Sequence, residues 1–369
     1  MGRWPGPVGD LVTSAFWHDR RVLVTGHTGF KGSWLVLWLK NLGADVAGLA
    51  LPPTSERGMF DAARVDAEID STVGDIRDRK MVRSVLARQR PEIVFHLAAQ
   101  PLVRRSYNDP VETFSTNVVG TATLLDELRA VDDLAAAVVV TSDKCYDNRE
   151  WPWGYRESDP LGGADPYSAS KACQEHVTAA FNRSYFVDRQ VGLGTARAGN
   201  VVGGGDWSED RLVPDVIAAF TDGFPVSLRH PEATRPWQHV LDPLAGYLQY
   251  AERLATAPQS VRPAYNFGPD DLDFWPVRRV VEHLAEVWGT GSWLKEPGEH
   301  PHEAQSLRLD SSCAMAELGW RPRLGTAPAL EWTAAWYVHQ AADADLCELS
   351  LQQVQEFESL PVSADAGTS

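Results

Sequence analysis

The stretch RVLVTGHTGFKGSWLVLWLKNL, residues 21–42, joins a short apolar run to a segment whose apolar residues recur at helical spacing. Between the two stand Gly26, Gly29 and Gly32, in the pattern G-x-x-G-x-x-G. Glycines at a strand-to-helix turn let the main chain approach a pyrophosphate, whose charge then lies at the helix N-terminus. The stretch therefore predicts a dinucleotide-binding turn, although its spacing differs from the more common G-x-G-x-x-G, and a plain glycine-rich turn is the alternative.

Strand and helix patterns alternate on the C-terminal side of this turn. Further strands are predicted at 45–51, 71–75, 92–98, 135–142 and 191–197, and helices at 79–89, 111–130 and 167–186. Such alternation is typical of an α/β fold, here a doubly wound parallel sheet of the Rossmann type with right-handed crossovers. After residue 197 the alternation breaks down, which indicates a smaller C-terminal substrate domain.

The predicted domains follow from this change of pattern. Residues 1–197, with a returning segment at about 237–267, form the nucleotide-binding domain. Residues 198–236 and 268–345 form the substrate domain, and 346–369 form a polar, acidic tail that we expect to be partly disordered.

Composition excludes several classes of partner. The 369-residue chain has a net charge of −16, which argues against nucleic acid or an anionic membrane surface as a partner. It contains no run of eighteen apolar residues, and its N-terminus lacks an apolar signal core. The four cysteines have neither metal-like nor paired spacing, so we expect reduced thiols in a cytoplasmic protein.

The stretch VVVTSDKCYDN, residues 138–148, places three polar side chains directly after a buried strand: Ser142, Asp143 and Lys144. Polar residues are common where a strand turns, and local turn hydrogen bonds would explain them. In open parallel sheets, however, ligands bind beyond the carboxyl ends of the strands. The position therefore favours a site in which these groups hold or move protons.

Tyr167 and Lys171 lie four residues apart on a predicted helix, so both side chains project from one face. A tyrosine with its ordinary pKa of about 10 is a poor base near neutral pH. An adjacent ammonium and a bound nicotinium lower that pKa, and Ser142 could hydrogen-bond a substrate alcohol. Alone, Y-x-x-x-K is a weak pattern, but together with the glycine turn and the strand-end serine it indicates an oxidoreductase core.

The end of the second predicted strand bears on the choice of cofactor. The segment GLALPPT carries no carboxylate for the ribose hydroxyls of NAD, and Arg57 follows six residues after Leu51. On these residues alone NADP stays open. Asp75, followed by Ile76, is a candidate adenine contact at the end of the third strand.

Six stretches carry a resemblance to a known family: VTGHTGFKGSWL, HLAAQPLVRRSY, TSDKCYDNREWPWGYRE, RAGNVVGGGDW, RPWQHVLDPL and HPHEA. From about residue 20 to residue 340 the chain resembles the CDP-glucose 4,6-dehydratases of the extended short-chain dehydrogenase/reductase superfamily. The N-terminal extension and the acidic tail depart from the pattern. The resemblance implies NAD as cofactor, with contacts from Gly26, Thr28, Gly29, Phe30, Gly32, Asp75, Ile76, Ala98, Ala99, Asn117, Tyr167 and Lys171.

The reaction that the resemblance implies has three stages. NAD oxidises C4 of the glucose, water leaves across C5 and C6, and the hydride returns to C6. A C4 ketone makes the C5 proton acidic, so the order is chemically sensible. Ser142, Tyr167 and Lys171 then serve the oxidation. Asp143 protonates the departing hydroxyl and Lys144 removes the C5 proton, which requires Asp143 to hold a proton and Lys144 to release one.

The predicted substrate contacts lie in both halves of the chain. An arginine can bind two oxygens of a pyrophosphate at once. We therefore assign Arg235 and Asn200 to the nucleotide-sugar diphosphate, with Arg211 as a further candidate. His300, His302 and Glu303 do not complete a metal-ligand set, so we predict no metal. The full predicted substrate set is Gln100, Arg104, Asn200, Arg211, Arg235, His239 and His302.

Two rival functions retain part of this pattern. A nucleotide-sugar epimerase would keep Ser142, Tyr167 and Lys171 but needs no elimination acid, so the Asp143–Lys144 pair argues against it. A redox-sensing module that holds NAD without turnover would not need a complete set of proton-handling residues. By analogy with the superfamily, helices 111–130 and 167–186 could pair with their symmetry mates in a homodimer or homotetramer.

Overall fold

A computed structural model describes residues 12–269, 273–297 and 307–361. Strands within these ranges are β1 (Arg21–Thr25), β2 (Asp45–Ala50), β3 (Asp70–Val73), β4 (Ile93–His96), β5 (Ala136–Val140), β6 (Gly192–Arg197), β7 (Val201–Val202), β8 (Val226–Leu228), β9 (Thr234–Arg235), β10 (Gln238–His239), β11 (Ala264–Asn266), β12 (Trp275–Pro276) and β13 (Trp293–Lys295). Seven of them form one parallel sheet in the order β11-β6-β5-β4-β1-β2-β3. The predicted doubly wound parallel sheet is confirmed.

The interior strands of this sheet are buried on both faces. Every residue of β4, β5 and β6 is buried, which is the reason why these segments read as continuous apolar runs rather than as alternating ones. The chain progresses from β1 through β2 to β3 on one side, and then returns to place β4 on the other side of β1. This reversal between β1 and β4 creates a crevice at the carboxyl ends of the strands, where open α/β sheets bind their ligands.

Helices cover both faces of the sheet and build the second half of the chain. Neighbouring side chains determine where several of these helices begin. For example, the carboxylate of Asp78 accepts hydrogen bonds from two main-chain N–H groups at the start of the helix that was predicted at 79–89. The helices are α1 (Ser14–Trp17), α2 (Phe30–Asn41), α3 (Met59–Ala62), α4 (Arg79–Gln89), α5 (Val103–Asn108), α6 (Pro110–Phe114), α7 (Thr121–Leu128), α8 (Pro166–Phe181), α9 (Leu212–Thr221), α10 (Leu241–Thr256), α11 (Val277–Trp288), α12 (Thr326–Ala341) and α13 (Leu346–Ser359). Among these residues no helix is long and apolar enough to cross a membrane.

The segment predicted to return to the first domain contributes α10 and β11. β11 pairs in parallel with β6 and forms one edge of the large sheet. The remaining strands form three small two-stranded sheets, β7 with β10, β8 with β13, and β9 with β12. These small sheets lie in the part of the chain where the regular alternation ends.

The segment predicted as a polar, partly disordered tail, 346–369, begins with fourteen residues that form α13. Asp345 caps this helix, and Val354 and Phe357 are fully buried. Phe357 packs edge-on against Trp38 of α2, and Trp38 Nε1 donates a 2.7 Å hydrogen bond to Glu358 Oε1. Apolar residues at helical spacing were hidden in a mostly polar composition. Residues 362–369 lie outside the described part of the chain.

Asp242, in the first turn of α10, is a fully buried carboxyl group. Burial raises its pKa to about 7 from an ordinary value of 3.8, and hydrogen bonds from the main-chain N–H groups of Arg323 and Leu324 oppose the rise. The folded protein therefore keeps this proton at pH values where the unfolded chain has lost it. Stability must fall as the pH rises through this window, by at most about 4 kcal/mol.

We expect Asp242→Asn to remove this component, because the amide does not titrate and its oxygen can still accept the 2.7 Å hydrogen bond from Arg323 N–H. The free energy of unfolding, measured by denaturant titration at pH 5 and pH 8, should fall less between the two values in the variant than in the original protein. Asp45→Asn, at an exposed site, controls for the loss of one charge. An unchanged difference in Asp242→Asn would contradict the assignment.

Candidate active site

The glycine-rich turn joins β1 to α2 with very little space around it. Gly26 has a positive φ of 76°, and a Cβ on it would lie 2.7 Å from Ala98 N. A Cβ on Gly32 would lie 2.2 Å from Gly26 O, and Gly29 N–H donates to that same oxygen at 3.1 Å. Positions 26 and 32 therefore have no room for a side chain. Helix α2 begins at Phe30, directly after Gly29. A dinucleotide pyrophosphate fits this exposed main chain at a helix N-terminus.

Residues at the ends of β2 and β3 surround the neighbouring part of the crevice. Thr28 Oγ1 donates a 2.9 Å hydrogen bond to Leu51 O. Asp75 forms an ion pair with Arg77 (2.6 Å), and the hydrogen bond from Arg77 lowers the pKa of this carboxyl group. Arg57, the residue that left NADP open, instead places its guanidinium over the ring of Trp207 at 5.5 Å.

Asn117 and Gln100 are held tightly inside the protein. Gln100 N–H donates to Asn117 Oδ1 (2.8 Å), while Asn117 Nδ2 donates to Gln100 O (3.1 Å) and to Ser170 Oγ (2.8 Å). Both amide protons of Asn117 are therefore used internally. Asn117 fixes the loop that contains Ala98 and Ala99 against α8, and any contribution of Asn117 to cofactor binding acts through that loop.

The segment after β5 forms a compact cluster of hydrogen-bonding groups. Ser142 caps a short 3₁₀ turn, Asp143–Cys145, because its Oγ accepts from Lys144 N–H at 3.2 Å. The same hydroxyl donates to Asp143 Oδ1 at 2.9 Å. Asp143 is 1% exposed, whereas the Lys144 side chain is 36% exposed and its Nζ lies 4.0 Å from Asp143 Oδ1. An acid shielded from water and a more exposed amine thus lie side by side.

Helix α8 carries the other two predicted catalytic groups, Tyr167 and Lys171. Asp165 caps the helix and Pro166 occupies its first position, so its start is fixed just before Tyr167. Lys171 is buried, and its Nζ donates to Val140 O (3.3 Å) and Gln174 Oε1 (2.9 Å). Burial lowers the pKa of Lys171 to about 8.

The electrostatic surroundings of Tyr167 differ from those expected. Burial raises its pKa to about 12, and a hydrogen bond with Ser142 opposes this rise. The cation that also lowers the pKa is Arg211, not the helix neighbour Lys171. Tyr167, Ser142 and Asp143 are therefore linked side chain to side chain, from the helix to the buried acid.

The loop after β6 covers the Asp143 carboxylate. A Cβ on Gly199 would lie 2.0 Å from Asp143 Oδ2, so this position has no room for a side chain. Asn200 adopts a left-handed conformation with φ of 50°, and its Nδ2 is 3.4 Å from Asp143 Oδ2. The predicted substrate residue Asn200 thus contacts the acid itself.

The other predicted substrate residues occupy varied positions. Arg211 pairs with Asp206 (2.8 Å), and Arg104 pairs with Asp210 (2.6 Å). Arg235 lies in β9, half-buried and opposite Trp275 of β12. His302 lies outside the described residues, as do His300 and Glu303. Within the described ranges, no group of three side chains could hold a metal ion.

His239, a member of the predicted substrate set, lies inside the protein. It is fully buried, and its ring packs between Trp34 (6.1 Å) and Trp332 (5.7 Å). Burial lowers its pKa to about 3, so the imidazole is neutral. The ring packs between α2 and α12, and its contact with substrate stays a prediction.

Sequence reasoning missed three charged groups beside this cluster: the half-buried Lys31 and the buried Glu175 and Arg197. Burial and the charge of Arg211 lower the pKa of Lys31 to about 7, while Asp143 opposes the shift. A lysine inside a glycine-rich turn was a visible signal. Glu175 and Arg197 form a 2.6 Å ion pair with both side chains 4% exposed, and no local pattern pointed to it.

With this geometry established, comparison with known proteins gives the family. Residues 23–262 match the family model described as GDP-mannose 4,6 dehydratase. The chain belongs to this dehydratase family. It is 47% identical to the CDP-glucose 4,6-dehydratase of Salmonella typhimurium, over 95% of this chain and 99% of the relative. The predicted membership of the extended short-chain dehydrogenase/reductase superfamily is confirmed.

Further members of the superfamily are similar to this chain at lower sequence identity. The dTDP-glucose 4,6-dehydratase of Streptomyces griseus is 32% identical over 86% of this dehydratase chain and 93% of its own length. A dTDP-glucose 4,6-dehydratase from Streptomyces venezuelae, solved with NAD bound, has a TM-score of 0.75 at 27% identity, covering 88% of this chain and 99% of that one. UDP-glucose 4-epimerase from Thermotoga maritima has a TM-score of 0.76 at 22% identity, over 87% of this chain and 99% of that one, and shares the fold.

Proposed function

We propose that this chain is an NAD-dependent CDP-glucose 4,6-dehydratase, which converts CDP-glucose to CDP-4-keto-6-deoxyglucose and water. The observation that carries the proposal is the link between Tyr167, Ser142 and the buried Asp143, which joins a base for oxidation to an acid for elimination. The likeness to the enzyme of Salmonella typhimurium supports the choice of CDP-glucose. When bound, NAD accepts the hydride from C4 and returns it to C6.

Residues of α8 and of the strand end would serve the oxidation. Tyr167 takes the proton of the C4 hydroxyl, and Ser142 orients that hydroxyl. Tyr167 must lose its proton to act, and its pKa of about 12 in the free protein means that further positive charge is needed. Lys171 supplies a buried cation one helical turn away, held by Val140 O and Gln174. The glycine turn and the loop after β4 would hold the cofactor.

Asp143 and Lys144 would carry out the elimination. The ketone formed at C4 makes the C5 proton acidic, and the partly exposed Lys144 amine, in its unprotonated form, would remove it. Asp143, shielded from water beneath Gly199, gives a proton to the departing C6 oxygen. Their 4.0 Å separation suits two groups that act on adjacent carbons.

The proposed substrate contacts follow from the charge and the position of each side chain. Arg211 and Arg235 would bind the diphosphate, with Arg104 at the exposed edge. Asn200 contacts the Asp143 carboxylate and would position it against the sugar. Gln100 is occupied by Leu102 O and Thr113 Oγ1, so it would act by shaping the loop after β4.

An epimerase acting on another nucleotide sugar is the second candidate, because epimerases share this fold. Such an enzyme needs no group to protonate a departing C6 hydroxyl. Asp143, 1% exposed and hydrogen-bonded to the oxidation serine, is placed to supply that proton. Asp143 therefore favours the dehydratase.

A homodimer or homotetramer in the cytoplasm completes the proposal. Large apolar side chains are exposed along the helical region that follows β4: Tyr107 (63%), Val111 (78%) and Val119 (55%). Such a patch suits burial against a second copy. All four cysteines are reduced, as expected in a reducing compartment.

The function is tested by incubating the purified protein with NAD and CDP-glucose. We expect a product that absorbs in alkali as 4-keto-6-deoxy sugars do, without net formation of NADH, because the reaction is redox-neutral. dTDP-glucose and UDP-glucose serve as matched substrates that differ in the base. Stoichiometric NADH would indicate a net dehydrogenase, and a C4 epimer would indicate the second candidate.

A further inference from the structure

A buried ion pair lies behind the cluster that contains Ser142, Asp143 and Lys144. Glu175 projects from α8, one helical turn beyond Lys171, and Arg197 ends β6. Their side chains pair at 2.6 Å, each only 4% exposed. Neither group has a place in the reaction described above. Removing two charges from water is costly, so a buried ion pair often adds little net stability to the fold. Stability is therefore a weak explanation for the presence of this pair.

The ion pair holds both flanks of the segment that carries the elimination residues. On the N-terminal flank, Thr141 Oγ1 donates to Glu175 Oε1 at 2.5 Å. On the C-terminal flank, Arg197 Nη1 donates to the hydroxyl oxygen of Tyr146 at 2.6 Å. Ser142, Asp143 and Lys144 lie between these two anchors. The turn that they form is therefore fixed at each end to one pair of charges.

The same pair is itself anchored to the elements that carry the oxidation residues. Glu175 Oε2 accepts from Thr195 Oγ1 of β6 at 2.8 Å, so both oxygens of the carboxylate are engaged. Glu175 and Lys171 stand four residues apart on α8, and the Glu175 charge raises the pKa of Lys171 against the effect of burial. The ion pair thus connects α8, the end of β5 and the end of β6.

Tyr146 is the more informative of the two anchors. Its hydroxyl donates to Asn266 Oδ1 of β11 at 2.8 Å while accepting from Arg197. Its ring stacks on Tyr155 with centroids 5.2 Å apart, and Arg197 also lies 5.0 Å from the ring centroid. The residue is 1% exposed. It is a rigid connection between the charges and the turn, not a group that could touch a substrate.

We propose that the Glu175–Arg197 ion pair, acting through Thr141 and Tyr146, positions Asp143 and Lys144 for elimination relative to the oxidation residues on α8. The inference rests on the proposed dehydratase function and adds to it four positioning residues, none of which touches substrate. Misplacement of reacting groups by about 1 Å can cost a reaction step on the order of 100-fold. Loss of one anchor should therefore slow elimination, which needs both Asp143 and Lys144 in place, more than the C4 oxidation, which also depends on Tyr167 and Lys171 of α8.

Tyr146→Phe and Thr141→Val test the proposal, because both keep the shape of the core and leave the two charges paired. Substitution of Glu175 or Arg197 alone would leave a buried charge unpaired and endanger folding. With CDP-glucose and NAD, we expect the single-turnover rise of NADH absorbance to slow less than product formation in both variants, and least in Tyr146→Phe, because Ser142 adjoins Thr141 rather than Tyr146. Product formation and exchange of the C5 hydrogen with deuterated water should then fall about 10- to 100-fold.

Tyr250→Phe is the matched control. Tyr250 is also fully buried, and its hydroxyl donates to Arg262 O at 2.7 Å rather than to the 141–146 segment. It should lose thermal stability without a change in the fraction of enzyme held as NADH. If Tyr146→Phe and Thr141→Val behave like Tyr250→Phe, the anchors are merely structural and the proposal fails. If the original protein forms no 4-keto-6-deoxy product, the proposed function fails instead.

Discussion

Tyr167→Phe is expected to lower the turnover of CDP-glucose by a factor of about 10² to 10⁴, the usual contribution of a positioned acid or base. The phenol is the group that links α8 to Ser142, and burial holds its pKa near 12 before ligands bind. Phenylalanine fills the same space without a proton to exchange. Stopped-flow absorbance in a single turnover should show the loss in the first step, with no NADH formed.

Binding separates this result from a folding defect. Tyr167 is 8% exposed, so the ring is part of the core and its phenylalanine replacement should leave the affinity for CDP-glucose almost unchanged in calorimetry. The rate should also depend on pH more weakly in the variant, because the deprotonation of the phenol no longer contributes. Turnover close to that of the original protein would show that Tyr167 and Lys171 form an accidental pattern.

Asp143→Asn and Lys144→Met should stop the reaction at a later point. The oxidation residues Ser142, Tyr167 and Lys171 are untouched, so C4 should still be oxidised and NADH should accumulate on the enzyme in a single turnover. Product formation should fall by a factor of about 10² to 10⁴, because each variant lacks one of the two groups that transfer protons in the elimination. Absorbance of the bound cofactor and product analysis in quenched samples measure the two steps separately.

The two variants differ in one respect that assigns their roles. Without the base, Lys144→Met should not exchange the C5 hydrogen with deuterated water, whereas Asp143→Asn should still exchange it. Asparagine also keeps the size needed beneath Gly199, so a lost step would reflect the lost proton. Exchange at the original rate in Lys144→Met would identify another base and leave Lys144 as an electrostatic aid to the enolate.

Much of the sheet could be predicted because its strands are buried apolar runs. β1 occupies the predicted residues 21–25, and α4 begins at the predicted residue 79 because Asp78 caps it. The predicted helix 111–130 instead contains a π-helical stretch, Ser115–Gly120, which periodicity of the apolar residues does not reveal. Helix α13 could not be predicted from the overall polarity of the tail, because only its few apolar residues recur at helical spacing.

The candidate site likewise contains residues that could be predicted from the sequence and residues that could not. Ser142, Asp143, Tyr167 and Lys171 were visible because they stand in short local patterns at the ends of recognisable elements, although their roles stay predictions. Glu175 and Arg197 were invisible, since they are 22 positions apart and meet only when α8 lies against β6. His239 stands in a recognisable motif, but its packing between Trp34 and Trp332 could not be predicted from that motif. Whether such a residue belongs to the site depends on its neighbours in the folded protein, which its residue type does not reveal.

A side chain at position 199 would occupy the space that the Asp143 carboxylate fills. Because a Cβ at 199 would lie 2.0 Å from the acid, the two positions cannot both carry side chains in this backbone. Natural variation at 199 should therefore depend on the residue at 143: any relative that has dispensed with the acid is free to fill the space from the loop. A sequence comparison that considers the two columns jointly could then sort dehydratases from enzymes of the same fold that perform no elimination, without knowledge of their substrates.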